Sequence, residues 1–105
     1  MSNIVNTPKP PYYAVIFTSL KIDEDKGYKK ISEKMAELVS EQEGFLGFES
    51  VRDELGITVS YWRDEESIKK WKSNPEHQEA QNSGKEIWYK KYKIRIAKVE
   101  RDYEF

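Results

Sequence analysis

The sequence predicts an α+β fold in which one four-stranded antiparallel sheet carries its helices on one face. Apolar residues alternate in strand-like segments near both ends of the chain, and two such segments form a central hairpin. Two further stretches have helical periodicity. The order strand, helix, strand, strand, helix, strand is the βαββαβ arrangement of ferredoxin-like folds. A chain of 105 residues has room for one such domain, which we place at residues 12–105.

The first half of the chain predicts an arm, a strand and a helix. Residues 1–11 are polar and contain three prolines, which donate no backbone hydrogen bonds, so we predict an extended arm that is flexible or lies at a sheet edge. Residues 12–22 alternate β-branched and aromatic side chains, which predicts a strand buried on both faces. The next segment predicts an amphipathic helix that Asp23 or Asp25 caps and Gly44 stops.

The second half predicts a hairpin, a broken helix and a last strand. Residues 45–53 and 57–63 read as antiparallel strands with a turn at Leu55-Gly56. A helix follows and is interrupted at residues 73–75, because asparagine is a good helix cap and proline suits the first position of a new helix. Residues 92–97 alternate again and predict the final strand.

Composition excludes several classes of function. The net charge is −1, from 18 basic and 19 acidic residues, so no global field attracts nucleic acid or an anionic membrane. The chain has no cysteine, which excludes disulfides and thiolate catalysis, and its single histidine argues against a zinc site. No leader and no stretch of about 20 apolar residues is visible. We expect a cytoplasmic protein with neither a membrane nor a nucleic acid as partner.

The second face of the sheet predicts self-association. On strands one, two and four both alternating sets contain large apolar residues, although helices can cover only one face. Exposing the other face would leave a patch beyond the few hundred Å² of a typical monomer. At roughly 25 cal/mol per Å² the penalty is several kcal/mol, comparable to the stability of a small domain. We therefore predict a face-to-face homodimer.

One stripe on the broken helix has the composition of a pocket wall. At 100° per residue, the following side chains share a stripe roughly 60° wide or lie at its margin: His77, Gln81, Gly84, Trp88, Ala80, Ile87. A core stripe would favour leucine, isoleucine or valine, so small and polar groups here predict a small-molecule pocket between helix and sheet. The alternative is that the small residues permit close packing and the histidine is structural.

His77 is the candidate general base of this pocket. It lies in the first turn of its helix, where the positive end of the helix dipole disfavours imidazolium. A neutral ring can accept a phenolic or enolic proton, which typically contributes a factor of about 10²–10⁴ in rate. A lone histidine is more often structural than catalytic, and that alternative stays open.

The run SYWRDEESIKKWKSNPEHQEAQ, together with the βαββαβ order, resembles the antibiotic biosynthesis monooxygenase superfamily. In that family a helix carrying tryptophan leads into a Ser-x-Pro-x-His-like segment, matched here by Trp71, Ser73, Pro75 and His77. The resemblance implies a dimeric α/β barrel. Its cofactor-free branch uses neither metal nor flavin, since the deprotonated substrate itself supplies electrons to O₂.

That branch implies a monooxygenase acting on a small aromatic or enolisable molecule, with no cofactor. Three tryptophans would wall its pocket, a histidine would take the proton, and a glutamine or an arginine would hold the oxyanion: Trp62, Trp71, Trp88, His77, Gln81, Arg95. Each also has a structural interpretation. The principal alternative is thus a dimer without catalysis that binds a small molecule or nothing.

A second alternative is a divergent haem-degrading monooxygenase. The haem-degrading branch of the family uses an asparagine on the first strand, a tryptophan on the second helix and an axial histidine ten residues later. Trp71 matches the tryptophan, but the position ten residues later holds Gln81, and residues 12–22 contain no asparagine. Glutamine is a poor haem ligand beside imidazole, so haem is not expected but stays possible.

RNA-recognition modules share the βαββαβ order and need a separate test. Their third strand carries a Lys/Arg-Gly-aromatic signature, whereas the corresponding segment here reads ITVSYWR. The lysines of the last strand are better explained as a solvated edge that discourages strand pairing.

Overall fold

The chain folds into one four-stranded antiparallel sheet with helices on one of its faces. The computed structural model describes residues 4–22 and 27–105, with the backbone alone at 86–87. The elements are β1 Tyr12–Lys21, α1 Tyr28–Ser40, β2 Phe45–Arg52, β3 Leu55–Trp62, α2 Glu65–Lys72, α3 Pro75–Ser83 and β4 Tyr89–Val99. A π-helical turn, Gly84–Trp88, joins α3 to β4. The predicted α+β, ferredoxin-like fold is confirmed.

The strand register decides which side chains face the helices. The order is β2-β3-β1-β4, so β2 and β4 form the edges. Val15 on β1 lies opposite Ser60 and Ile96, and all three point to the helical side. Their neighbours in sequence, such as Ile16 and Arg95, therefore lie on the outer face. The inner face carries the candidate site.

The core between sheet and helices is built around Trp62. Its side chain has 0% exposure and packs with Val39 of α1 and Ile68 of α2. The Phe45 ring lies edge-on to it, with ring centroids 5.3 Å apart. The indole Nε1 donates to the Ser60 hydroxyl at 3.0 Å, so no buried polar atom is left unpaired there.

The start of α1 differs from the prediction. Gly27, with φ of 85° and no side-chain capping bond, holds the cap position, so the helix begins at Tyr28. The predicted caps Asp23 and Asp25 lie outside the described residues. Because glycine adopts positive φ without steric penalty, the chain can turn sharply into the helix here.

The hairpin turn was predicted two residues too late. β2 ends at Arg52 and β3 begins at Leu55, and the Asp53 amide donates to the Leu55 carbonyl at 3.1 Å. Gly56 is thus a strand residue, not a turn residue. Glycine is required here because a Cβ at position 56 would overlap the Arg52 guanidinium, which lies across the strand pair.

The predicted break in the second helix is confirmed. α2 ends at Lys72, and Asn74 caps α3 by accepting from the amides of Glu76 at 3.0 Å and His77 at 3.2 Å. Pro75 occupies the first position of α3, where its missing N–H leaves no bond unmade. α2 and α3 are therefore separate helices, each with its own side-chain cap, Asp64 and Asn74.

The segment before β1 lies on the outer face of the sheet. The Val5 amide donates to the Glu49 carboxylate at 3.0 Å, and the Val5 side chain packs on Gly47. The Thr7 hydroxyl donates to that of Tyr12, which itself donates to Asp102 at 2.6 Å. Within the described ranges, no helix combines the length and apolar character needed to cross a bilayer.

Candidate functional site

A cavity of about 460 Å³ lies between the inner face of the sheet and the helices. Apolar side chains form most of its wall, including Val15, Ile31, Met35 and Ile94. Ile96 on the edge strand β4 lines the cavity while 54% exposed, so the cavity opens to solvent beside this strand. Its volume and apolar wall are those of a small-molecule pocket.

Aromatic side chains cluster at one end of the cavity wall. Tyr28 of α1 packs edge-to-face with Trp88 at 5.8 Å and with Tyr89 at 5.7 Å between ring centroids. The Tyr89 hydroxyl donates to the Tyr28 hydroxyl at 3.2 Å. Burial raises the pKa of Tyr89, and the hydrogen bond to Tyr28 raises it further. Tyr89 is therefore a neutral phenol at physiological pH and does not supply a base.

His77 and Trp71 form a stacked pair in the wall. Their ring centroids are 4.1 Å apart and the planes differ by 13°. The His77 Nδ1 lies 3.0 Å from the Trp71 backbone carbonyl, which can only accept a hydrogen bond. Nδ1 therefore carries the hydrogen and donates, which leaves the lone pair of the neutral ring on Nε2.

Burial lowers the pKa of His77, although the bond from Nδ1 to the Trp71 carbonyl acts in the opposite direction. The ring is therefore mostly neutral at pH 7, and burial accounts for this without the helix dipole. The main cause is the loss of hydration of the imidazolium. A lone pair on a neutral imidazole in an apolar cavity can accept a proton from a bound molecule.

Polar groups are few elsewhere in the cavity. Gln81 lies one helical turn after His77 and contributes an amide. The Ser50 and Thr58 hydroxyls share a hydrogen bond of 2.7 Å across the sheet wall. Lys72 also lines the cavity, and the sequence does not predict this because one lysine among the exposed lysines of α2 carries no distinguishing signal.

Four of the six predicted site residues line the same cavity: Trp71, His77, Gln81, Trp88. The other two do not join them. Trp62 has 0% exposure and no surface to offer a ligand. Arg95 is exposed on the outer face, because Ile94 and Ile96 on either side of it point to the cavity.

The small residues of the predicted stripe have separate roles. Ala80 lines the cavity, as a pocket wall requires. Gly84 is buried, and a Cβ there would lie 3.0 Å from the Tyr89 ring, so it permits close packing. The side chain of Ile87 lies outside the described residues. Of the two explanations offered for the small residues, each applies to one of them.

Comparison with known proteins identifies relatives of this chain. The family described as antibiotic biosynthesis monooxygenase matches residues 11–83. The uncharacterized protein YqjZ of Bacillus subtilis (strain 168) is 50% identical over 103 residues, which cover 96% of this chain and 90% of that protein.

Solved structures share the fold at low sequence identity. SnoaB, a cofactor-independent oxygenase from Streptomyces nogalater, superposes with a TM-score of 0.75 at 8% identity, covering 89% of this chain and 97% of that chain. PA3566 from Pseudomonas aeruginosa gives 0.72 at 13% identity, covering 92% and 100%. The match to the family spans more than half of the sequence, and the fold agrees with it. The chain belongs to the antibiotic biosynthesis monooxygenase family.

Proposed function

We propose that this protein is a cofactor-independent monooxygenase that oxidises a small phenolic or enolisable molecule in the cavity. The observation that carries the proposal is a neutral histidine, with its lone pair on Nε2, in an apolar cavity of ligand size. The family supports oxygenase chemistry, and SnoaB of the same fold is described as a cofactor-independent oxygenase.

In the proposed reaction, His77 takes the phenolic proton on Nε2. The Trp71 carbonyl, already bonded to Nδ1–H, then stabilises the imidazolium, and the Gln81 amide donates to the phenolate oxygen. The anion is poorly solvated among apolar side chains, so it gives electrons to O₂ readily. A ring C–H and the O–H bond break, a new C=O bond forms, and the second oxygen atom leaves as water with both hydrogens. No external reductant is needed.

Oxidation of 1,5-dihydroxynaphthalene provides the direct test. We expect the wild-type protein to convert it with O₂ to 5-hydroxy-1,4-naphthoquinone and water, with one O₂ consumed per quinone. Ala80→Phe fills the cavity and should lower kcat/KM at least about tenfold, since a ring then occupies substrate space. Oxygen electrode traces and quinone absorbance measure both quantities.

Gln78→Ala, on the exposed side of the same helix, is the control and should match wild type. Circular dichroism checks that Ala80→Phe still folds. Equal quinone formation with and without protein contradicts the proposal. Binding of the probe without turnover would favour the alternative, a small-molecule-binding protein without catalysis.

The residues present do not fit the haem-degrading branch of the family. The position ten residues after Trp71 holds Gln81, whose amide is a weak iron ligand beside imidazole, and β1 contains no asparagine. We propose that no cofactor takes part. Titration with haemin should accordingly give no stoichiometric shift of the Soret band, and a saturable shift lost in His77→Ala would overturn this assignment.

We further propose that two copies associate through the outer face of the sheet. Leu20 pairs with Leu55 and Val51 with Ile57, and all four are exposed there, Val51 to 69%. These four residues form a contiguous apolar patch on the outer face of the sheet, away from Gly47, where the Val5 side chain packs. A second sheet packed on this patch would remove it from water.

Placing a charge in this patch should separate the copies. Val51→Lys buries an unpaired ammonium in the proposed interface and is expected to raise the dimer Kd about a hundredfold or more. Sedimentation velocity over a range of concentrations measures this. Gln78→Lys adds the same charge on α3 and should leave the distribution unchanged. A monomeric wild type, or a dimer unaffected by Val51→Lys, contradicts the proposal.

A further inference from the structure

Arg52 lies on the inner face of the sheet, next to the aromatic end of the cavity. It follows Phe48 and Ser50 on the same side of β2, and both of these line the cavity. Successive residues on one side of a strand are about 6.6 Å apart, so the Arg52 side chain begins one such step beyond the Ser50 wall. Gly56, opposite on β3, leaves space for the guanidinium.

Two contacts fix the direction of the guanidinium. Its Nη2 donates to the hydroxyl of Ser19, which is only 2% exposed. Its Cζ lies 6.0 Å from the ring centroid of Tyr28, a cavity-lining residue. Arg52 also opposes the rise in the pKa of Tyr89 that burial and the Tyr28 bond cause. The charge thus acts on two phenols of the cavity wall, Tyr28 and Tyr89.

Within the described part of the chain, most of the guanidinium donors of Arg52 have no partner. Among the described residues, no carboxylate lies within ion-pair distance of Arg52, and the Ser19 hydroxyl engages one of its five N–H groups. Lys21 adds a second positive charge, with its Nζ 4.7 Å from the Tyr28 ring centroid. Two cations that have no carboxylate partner among the described residues, beside an apolar cavity, are suited to an organic anion.

This cationic end is separated from the proposed base. α3 begins beside His77, and the chain then runs to Trp88, which packs on Tyr28. The α-helical part, from His77 to Ser83, spans six steps of about 1.5 Å, or roughly 9 Å, and the π-helical turn then leads on to Trp88. A molecule that reaches both ends would place its reacting ring near His77 and a charged substituent near Arg52.

We propose that Arg52, oriented by Ser19 and assisted by Lys21, binds the anionic group of an aromatic ligand at the end of the cavity opposite His77. Calling that ligand the substrate rests on the proposed oxygenase function. The binding itself does not depend on catalysis. The proposal narrows the substrate class to phenols or enols that carry a carboxylate or a comparable anionic group on a ring distant from the site of oxidation.

Two fluorescent dyes with the same aromatic skeleton test the charge directly. 8-Anilinonaphthalene-1-sulfonate is an anion, and N-phenyl-1-naphthylamine is its neutral counterpart. We expect Arg52→Gln to weaken binding of the anionic dye about tenfold and of the neutral dye less than about twofold, because only the charged contact is lost. Arg52→Lys, which keeps the charge, should recover most of the affinity.

Further measurements separate a binding role from a structural one. Raising NaCl from about 0.02 M to about 0.5 M should weaken binding of the anionic dye to the wild-type protein, but it should hardly change binding to Arg52→Gln. Arg101→Gln makes the same substitution at an exposed C-terminal residue and should change neither dye. Thermal unfolding checks that each variant is folded.

If Arg52→Gln loses the same affinity for both dyes, the proposal is overturned, because Arg52 would then be a purely structural residue. Binding of the anionic dye that changes neither in Arg52→Gln nor with salt would also overturn the proposal. Neither outcome affects the oxidation of dihydroxynaphthalene, which carries no anionic substituent. Conversely, a protein that oxidises nothing can still show charge-dependent dye binding.

Discussion

Replacing His77 with glutamine is expected to lower kcat/KM for dihydroxynaphthalene oxidation by about 10²–10⁴, the usual contribution of a general base. Glutamine retains an N–H that can donate to the Trp71 carbonyl, so the wall keeps a hydrogen-bonding residue. It has no group that accepts a proton near neutral pH. Steady-state oxygen consumption by the two proteins measures the loss.

The pH profile gives a second signature of the base. Burial lowers the pKa of His77 below its ordinary value of 6.5, so the catalytically competent neutral form dominates at pH 7 and above. Activity should therefore be flat above neutrality and fall only as pH drops through the lowered pKa, below about 6.5. This acid limb should disappear in His77→Gln. A variant with wild-type activity and an unchanged limb would assign the proton transfer to another group.

The order of the elements was predictable because periodicity is local. Alternation over residues 12–22 and the three- and four-residue spacing in α1 depend on which neighbours share a face, and a single sequence contains that information. The hairpin turn was misplaced because glycine is the usual signal of a turn. At Gly56 the glycine is needed for a different reason, because a Cβ would overlap the Arg52 side chain across the strand pair. This tertiary contact leaves no pattern in the local sequence.

The candidate site shows the same division between local and tertiary information. Helical spacing placed His77 and Gln81 in one wall because α3 is a regular helix between them. Trp88 reaches the cavity through a π-helical turn, which the 100° spacing does not describe. Alternation separated Arg95 from Ile94 and Ile96, but it does not reveal which set faces the helices.

Residue type alone also fails to distinguish a core from a pocket. Trp62 and Trp71 are nine residues apart and belong to the same predicted motif region, yet the first is fully buried and the second lines the cavity. The difference arises from what packs above each indole. The sequence does not predict the position of Arg52 for a related reason, since an arginine at the end of an edge strand ordinarily points into solvent.

Gly44→Ala is expected to destabilise the protein by about 2–5 kcal/mol. Gly44 has a φ of 82°, which costs an alanine about 1–2 kcal/mol. A Cβ there would also lie only 2.6 Å from the Cβ of buried Ser67, and overpacking of this kind typically costs about 1–3 kcal/mol. The Gly44 carbonyl accepts from the Arg63 amide at 2.8 Å, so the backbone cannot move freely to relieve the overlap. Urea unfolding measures the change.

Gly27 separates the two contributions. Its φ of 85° nearly equals that of Gly44, but a Cβ at Gly27 would meet no atom of the described residues within 4 Å. Gly27→Ala should therefore cost about 1–2 kcal/mol, the conformational part alone. Removing the obstacle with Ser67→Gly should bring the cost of Gly44→Ala close to that value in a double-mutant cycle. Equal losses in the two glycine variants would mean that the loop between α1 and β2 yields to the added methyl. The contact between Gly44 and α2 would then not fix the position of the helix that carries Trp71.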